Sequence, residues 1–168
     1  MNIFILRHGL AAEPGKGGND AERPLTGKGE HKLEGVAEAM AAMELSFDRI
    51  FSSPYLRARQ TAELIADALK ARKRLEFTDA LLPGATPSDA VHFLDSLKPV
   101  PEDVLVVGHE PNLSELISLL VSGDARLAIT MKKGGLCKLS AEILVARRCA
   151  TLEWLLTPKQ MGLMAGAG

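Results

Sequence analysis

Two stretches of the chain are apolar with almost no interruption, a pattern typical of strands that are buried on both faces of a sheet. They are residues 2–6, NIFIL, and residues 103–109, DVLVVGH. A shorter run, DRIFSSP at 48–54, and a weaker one, RLEF at 74–77, have the same character. We predict a strand at each of the four, with residues 2–6 near the centre of the sheet.

Apolar residues at helical spacing follow each predicted strand. Thr26 and Thr86 are suited to cap the first and third helices, and Gly123 is suited to end the fourth. The predicted helices span about 26–41, 55–71, 86–97 and 111–121. Strands and helices therefore alternate along most of the chain.

The last part of the chain breaks this alternation. Residues 135–144 and 150–156 are two apolar segments, and we predict that they form an antiparallel hairpin. The whole pattern predicts an α/β fold, a three-layer α/β/α sandwich whose mixed sheet is mainly parallel. The length of 168 residues suits a single domain, 1–160, and we expect the Gly- and Ala-rich residues 161–168 to fray.

The formal net charge is only −1, so no overall field attracts nucleic acid or an anionic membrane. The paired basic residues at 132–133 and 147–148 are interpreted as solvated turns, and no basic segment is interleaved with aromatic residues. The N-terminal apolar segment is too short for a membrane span or a signal peptide. These features predict a cytoplasmic protein whose partners are neither nucleic acid nor membrane.

The two cysteines, Cys137 and Cys149, lie too far apart for a CxxC motif. We interpret both as reduced, half-buried strand residues. With no further cysteine, the sequence favours neither a disulfide framework nor a cysteine-based metal cluster.

Side chains suited to anion chemistry follow three of the predicted strands. The first strand ends at Arg7 and His8, and the fourth ends at His109. The second leads to Ser53 and then to Arg57, on the first turn of the next helix. Ligands of open α/β sheets bind beyond the carboxyl ends of the strands, so we expect these side chains to converge there.

Two arginines and two histidines in one pocket favour a compact anion with several oxygens, and phosphate is the natural candidate. A guanidinium group matches phosphate oxygens in a bidentate manner, and free N–H groups at helix N-termini add donors. A histidine can attack phosphorus, because one ring nitrogen is unprotonated while a backbone carbonyl holds the other. His8 is therefore a candidate nucleophile, and we expect Gly9 to allow a sharp turn beside it.

Three motifs, in this order, resemble those of the histidine phosphatase superfamily, also called phosphoglycerate mutase-like. They are LRHG after the N-terminal strand, SSPYLRARQTAE at 52–63 and VGHEPNL at 107–113. ERPLTGKG at 22–29 and LEWLLTPKQM at 152–161 resemble more narrowly the phosphohistidine phosphatases of the SixA type. The similarity extends over nearly the full chain.

The resemblance implies a phosphatase that uses neither a metal nor another cofactor and works in two steps. His8 would take the phosphoryl group from the substrate, and water would then remove it. The implied phosphate-binding residues are Arg7, Arg57, His109, Arg23 and Ser53. For Ser53 the alternative is a cap on the following helix.

The acid that protonates the leaving group is not evident from these motifs. Larger relatives carry an insertion that roofs the site and supplies a glutamate, whereas the corresponding stretch here is short. Glu110 is the main candidate, because acid phosphatases of the superfamily place an aspartate there, and Glu13 and Asp89 are weaker ones. Since a protonated imidazole leaves readily, a missing acid favours a P–N substrate over a P–O substrate.

The predicted partner is therefore a phosphohistidine-bearing protein. A small phosphorylated metabolite, such as a sugar phosphate, is the alternative substrate. A third hypothesis is a phosphate- or phosphohistidine-binding module without turnover. A mutase is disfavoured, since the sequence contains no evident segment to close the site.

Overall fold

The computed structural model describes residues 1–15 and 17–166. Its sheet consists of β1 Asn2–Arg7, β2 Arg49–Ser52, β3 Leu75–Phe77, β4 Asp103–Gly108, β5 Leu136–Ala141 and β6 Ala150–Leu156. Its helices are α1 Gly27–Ala42, α2 Leu56–Ala68, α3 Pro87–Asp95, α4 Asn112–Ser122 and α5 Pro158–Ala165. Within the described ranges, no helix is both long and apolar enough to cross a membrane.

The strand order is β3-β2-β4-β1-β5-β6. Strands β3, β2, β4 and β1 run parallel, β5 pairs antiparallel with β1, and β6 pairs antiparallel with β5. The prediction of a mixed, mainly parallel sheet is confirmed. Arg7 of β1 lies beside Gly108 of β4, and Ser52 of β2 lies beside Val107. The three strands that lead to the candidate residues therefore end at the same edge of the sheet.

Apolar residues on the two faces of the sheet pack against different helices. In β1, Ile3 and Ile5 belong to the cluster formed with α3 and α4, whereas Phe4 and Leu6 belong to the cluster formed with α1, α2 and α5. This division follows because successive side chains of a strand point to opposite faces. Both faces are covered, which confirms the three-layer α/β/α sandwich and explains why β1 is apolar throughout.

The predicted helix caps are present. Thr26 Oγ1 accepts a hydrogen bond from Gly29 N at 3.0 Å. Thr86 and Asp89 form a capping box at the start of α3, and Gly123 ends α4 with a left-handed φ of 85°. Because the carboxylate of Asp89 accepts a hydrogen bond from Thr86 N at 2.7 Å, this candidate acid is engaged in the cap.

Residues 161–165 of the tail that we predict to fray continue α5, and their fraying stays a prediction. Thr157 and Gln160 form a capping box at its start, and the side chain of Met161 is completely buried in the cluster that includes α1. The small side chains suggested a loose segment, but burial of one large apolar residue stabilises the helix. Residues 167–168 of the predicted tail lie outside the described residues.

Both cysteines are free. Cys137 lies in β5 and is completely buried rather than half-buried, and this burial raises the pKa of its thiol to about 12. Cys149 is half-buried, as predicted, but it immediately precedes β6 instead of lying within a strand. Neither thiol belongs to the edge of the sheet where the candidate site residues gather.

Candidate active site

The carboxyl edge of β1, β2 and β4 brings the predicted site residues together. His8 N donates a hydrogen bond to Gly108 O at 3.2 Å, and Ser53 N donates one to Val107 O at 3.0 Å. These bonds extend the pairing one residue beyond each strand. The rings of His8 and His109 lie side by side, with their centroids 5.0 Å apart.

His8 is held with one defined nitrogen facing Arg57. His8 Nδ1 lies 2.7 Å from the carbonyl oxygen of Gly9, and because that oxygen only accepts, Nδ1 carries the proton. Nε2 therefore has the lone pair, and it accepts a hydrogen bond from Arg57 Nε at 3.3 Å. Burial is the main cause that lowers the pKa of His8 to about 4; the charges of Arg57, Arg7 and Lys133 act in the same direction, and the hydrogen bond to Gly9 opposes them. The imidazole is neutral at pH 7 and has on Nε2 the unprotonated lone pair that a nucleophile needs.

Close packing, rather than a turn, explains the glycine that follows His8. A Cβ at Gly9 would lie 2.6 Å from Leu33 Cδ1 and 3.1 Å from Leu25 Cδ2. Gly9 N donates to Thr61 Oγ1 at 3.1 Å, a side chain that the sequence reasoning missed. Thr61 Oγ1 in turn donates to the carbonyl oxygen of Arg57, one helical turn earlier, at 2.7 Å. Thr61 thus joins the end of β1 to the turn of α2 that carries the site arginine.

Asp20 occupies the outward side of Arg57, and the sequence reasoning missed this contact. Arg57 Nη1 donates to Asp20 O at 2.7 Å, and Nη2 donates to Asp20 Oδ2 at 3.0 Å. The Arg57 side chain is only 6% exposed and lies over the ring of Tyr55. A carboxylate therefore takes the edge of the guanidinium group that would meet a phosphate. The available signal was an acidic residue in the glycine-rich loop, but its partner lies far along the chain.

Arg23 binds the same carboxylate. Arg23 Nη1 donates to Asp20 Oδ1 at 2.8 Å, and its Nε donates to Ala12 O at 2.7 Å. The hydrogen bond from Arg23 is the main cause that lowers the pKa of Asp20, and Arg57 contributes to the same shift. Asp20 is therefore ionised at neutral pH, and it bridges two of the predicted phosphate-binding arginines.

His109 is packed beside Tyr55 and is positioned by Ser53. His109 Nε2 lies 2.8 Å from Ser53 Oγ, and its ring meets the ring of Tyr55 edge-on at 5.5 Å. Burial lowers the pKa of His109 to about 3, and the nearby charges of His8 and Arg57 act in the same direction. Ser53 is completely buried, and its hydroxyl lies against the His109 ring. This arrangement supports a positioning role for Ser53, and the phosphate contact stays a prediction.

Arg7 has a hydrogen-bond donor to spare. Its Nη1 donates to Met131 O at 2.7 Å, whereas its Nε is buried and has no partner among the described residues. Burial lowers the pKa of Arg7, and the negative charge of Glu110 opposes this effect. A buried donor without an acceptor costs about 1–3 kcal/mol, which a bound oxyanion would offset.

The carboxyl groups predicted as acids are engaged elsewhere or lie apart from the site arginines. Glu110 Oε1 accepts a hydrogen bond from Ser114 N at 3.0 Å and thereby caps α4. Glu13 is exposed on the loop, and Asp89 caps α3. Among the residues that the structure describes, Asp20 is the only carboxylate that hydrogen-bonds to a site arginine. Nor does that part of the chain contain a group of three or more His, Cys, Asp or Glu residues placed to hold a metal ion.

A neutral imidazole whose Nε2 lone pair faces a guanidinium group, with a second arginine nearby, has the chemistry to bind and attack a phosphoryl group. The model of the histidine phosphatase superfamily (branch 1) matches residues 3–82 of this chain. The chain is 32% identical, over 129 residues, to the phosphohistidine phosphatase SixA of Escherichia coli (strain K12), an alignment that covers 74% of this chain and 76% of that protein. The chain belongs to the histidine phosphatase superfamily, and it is a hydrolase of the phosphatase type.

Solved structures agree with this placement. The structure of the protein histidine phosphatase SixA complexed with tungstate superimposes with a TM-score of 0.83 at 26% identity, over 95% of this chain and 98% of that one. A phosphoglycerate mutase from Bacillus anthracis str. Sterne has a TM-score of 0.66 at 16% identity, over 98% of this chain and 96% of that one. The second likeness concerns the fold alone, and it confirms the predicted phosphoglycerate mutase-like architecture.

Proposed function

We propose that the protein is a phosphohistidine phosphatase, which removes phosphate from phosphohistidine in other proteins through a phosphorylated His8. The observation that carries the proposal is the state of His8, whose proton is held on Nδ1 while the Nε2 lone pair lies beside Arg57. The likeness to SixA supports the same substrate class, since tungstate, present in that solved structure, is a tetrahedral oxyanion like phosphate.

The reaction takes two displacements at phosphorus. In the first, the His8 Nε2 lone pair forms a P–N bond while the P–N bond to the substrate imidazole breaks. The substrate ring is already protonated on its other nitrogen, so it keeps the electron pair of the broken bond and leaves as neutral imidazole. In the second, a water oxygen attacks the phosphorus of phosphorylated His8. The bond to Nε2 breaks, its electron pair returns to the ring, and the proton lost by water goes to solvent. The products are the unmodified histidine of the substrate and inorganic phosphate.

We assign the phosphoryl oxygens to Arg7 and Arg57, with Arg23 at the rim. The spare donor of Arg7 and the guanidinium edge of Arg57 are the groups that an oxyanion would use. Asp20 and the phosphoryl group are both anions and compete for Arg57, so Asp20 must move aside when substrate binds. Binding therefore exchanges one anion for another at a permanently cationic site.

His109 completes the pocket beside His8. Ser53 holds Nε2 of the ring, and the Nδ1 atom is buried without a partner among the described residues. A phosphoryl dianion favours the protonated ring, in which both nitrogens donate. His109 is thus neutral before substrate binds and becomes a donor to the phosphoryl group when it does.

The engagement of the nearby carboxyl groups supports a P–N substrate. Glu110 caps α4, and two arginines keep Asp20 ionised. An ester oxygen needs a strong proton donor to leave, whereas a protonated imidazole leaves without one. The small phosphomonoester therefore ranks below phosphohistidine.

The test is phosphate release, without added metal, from a protein that carries chemically phosphorylated histidine and from p-nitrophenyl phosphate. We expect the wild type to act preferentially on the phosphoprotein and His8→Ala to lose about 10⁴-fold or more in kcat, as removal of a nucleophile does elsewhere. His31→Ala is the matched control, because the His31 side chain is 87% exposed, and it should retain full activity.

A rapid quench adds a direct readout. Acid-labile, base-stable phosphate bound to the wild type and missing from His8→Ala would identify the intermediate. Equal release by His8→Ala would refute the nucleophile. Release from p-nitrophenyl phosphate alone would favour the phosphomonoesterase, and phosphate binding without release would favour the binding module.

A further inference from the structure

A groove lined by lysines runs away from the catalytic edge. It encloses about 540 Å³ between α1, the loop at 131–134 and the start of α5. Arg7 and Gly9, the two neighbours of His8 in the chain, lie at its wall. Its lysines are Lys32, Lys132, Lys133 and Lys159. We call this feature the lysine groove.

The charges of the lysine groove are not balanced within the described part of the chain. No Asp or Glu residue lines the groove, and none of the ion pairs of the described residues contains a lysine. Like charges gathered in one place repel, and a concave wall concentrates their field. In a chain whose net charge is −1, this local excess of positive charge indicates an anionic ligand.

The shape of the groove suits a length of polypeptide. Its floor is apolar and includes Leu10, Leu33 and Val36. It adjoins a second depression of about 440 Å³ along α1 and α5, and the two share Lys32 and Lys159. Each space alone has the size of a small-molecule site, but together they form an elongated channel. An extended occupant with both acidic and apolar side chains fits this surface better than a compact metabolite.

Backbone hydrogen bonds tie the groove to the catalytic strand. Gly134 N lies within hydrogen-bond distance of the carbonyl oxygens of both Arg7, at 3.0 Å, and His8, at 3.2 Å. Lys132 and Lys133 therefore belong to a loop that is fixed to the strand end carrying the nucleophile. A chain bound in the groove would pass directly beside His8.

We propose that the lysine groove binds an acidic segment of the protein substrate, adjacent in the chain to the phosphohistidine that enters the active site. The inference rests on the proposed function and narrows its substrate class. The preferred substrates are proteins whose phosphohistidine is followed or preceded by Asp and Glu residues interspersed with apolar ones.

The test compares two peptides that each carry one phosphohistidine, flanked either by Asp and Glu or by Ser and Gln. We expect the wild type to have a kcat/KM about tenfold higher for the acidic peptide, since several screened charge pairs act together. In roughly 1 M salt the Debye length falls to about 3 Å, so the preference should disappear. Lys32→Glu combined with Lys159→Glu should abolish or reverse the preference.

The matched control is Lys70→Glu combined with Lys73→Glu. Both lysines are exposed and precede β3, at the other edge of the sheet. Their replacement changes the net charge by the same amount as the variant of the lysine groove. This control should keep the wild-type preference. Thermal unfolding of both double variants verifies that each is folded.

Binding of the unphosphorylated peptides, measured by fluorescence anisotropy, separates the two proposals. Tighter, lysine-dependent binding of the acidic peptide supports the groove even if neither phosphopeptide is hydrolysed, an outcome that would refute only the proposed function. Hydrolysis and binding without any preference would refute the groove and leave the proposed function intact. An acidic preference that survives in the Lys32 and Lys159 variant, or that is lost equally in the control, would also refute the groove.

Discussion

The lysine groove and a depression beside Tyr55 lie on opposite sides of the catalytic edge, and they differ in charge rather than in size. The depression beside Tyr55 encloses about 530 Å³, and we call it the acidic depression because Asp79 and Asp89 line it. No lysine or arginine lines it among the described residues. The comparison shows that a net charge near zero can conceal a strong separation of charge across one site.

The two sides also differ in how their charges are held. Asp89 is engaged in the cap of α3, so part of the acidic charge has a structural role. The exposed lysines Lys32, Lys132 and Lys159 have no such role in the described contacts. We therefore expect a substrate with an acidic flank to be attracted on one side of His8 and repelled on the other.

Among these predictions the largest effect is expected at Arg57, in the active site between the lysine groove and the acidic depression. Arg57→Lys keeps the charge but loses the guanidinium donors that face Nε2 and the phosphoryl group, so kcat/KM should fall by about 10²–10³. The loss should be the same for acidic and neutral phosphohistidine peptides. Steady-state kinetics on both peptides check this, with Arg59→Lys as the exposed control on the same helix. A loss confined to the acidic peptide would contradict a role at the phosphoryl group.

The next effect comes from the burial of His8, in contrast to the exposed charges of the lysine groove and the acidic depression. The pKa of His8 is lowered to about 4 in the folded protein, whereas an unfolded histidine titrates near 6.5. The unfolded chain therefore binds more protons in this window, and the free energy of unfolding should fall as the pH drops from about 6.5 to about 4, on the order of 2 kcal/mol for this group. Urea unfolding across the window checks the slope. His8→Asn should reduce the slope by about this contribution and leave that of His109, whose pKa is also lowered, to about 3, whereas exposed His31→Asn should leave the slope unchanged.

A smaller effect is expected at the carboxylate that bridges Arg23 and Arg57. Asp20→Asn removes the anion that competes for Arg57, so inorganic phosphate and tungstate should inhibit about tenfold more strongly. Inhibition constants measured against Glu22→Gln, an exposed neighbour, check this. Weaker inhibition in Asp20→Asn would show that Asp20 assists anion binding instead of competing with it.

The smallest effect tests the charge of the acidic depression directly, in contrast to that of the lysine groove. Asp79 is exposed and forms no ion pair with a described residue, so Asp79→Lys should only remove a screened repulsion. We expect kcat/KM for the acidic peptide to rise about threefold, with no change for the neutral peptide. Asp95→Lys, exposed at the end of α3, is the control. An equal gain in that variant would show that net charge alone sets the preference.

The hydrophobic pattern by itself determined the order of the six strands and of the first four helices, and the edge of the sheet on which the candidate site lies. Alternating apolar runs and helical repeats require a covered parallel sheet, and parallel strands end at one edge. His8, Arg57 and His109 follow those strand ends directly, so their convergence was predictable from their positions alone. The three motifs that resemble those of the histidine phosphatase superfamily indicate the same residues independently.

Only the tertiary structure decided which distant side chains meet. Asp20 and Arg57 lie 37 residues apart, and the lysines of the groove come from three separate segments that read locally as ordinary solvated charges. Packing likewise placed the Ser53 hydroxyl against His109, and burial kept Met161 in a helix where small residues suggested a loose tail. The physical reason is common to all of them: a local pattern specifies the conformation of its own segment, whereas charge pairing and burial depend on packing between segments that the pattern does not encode.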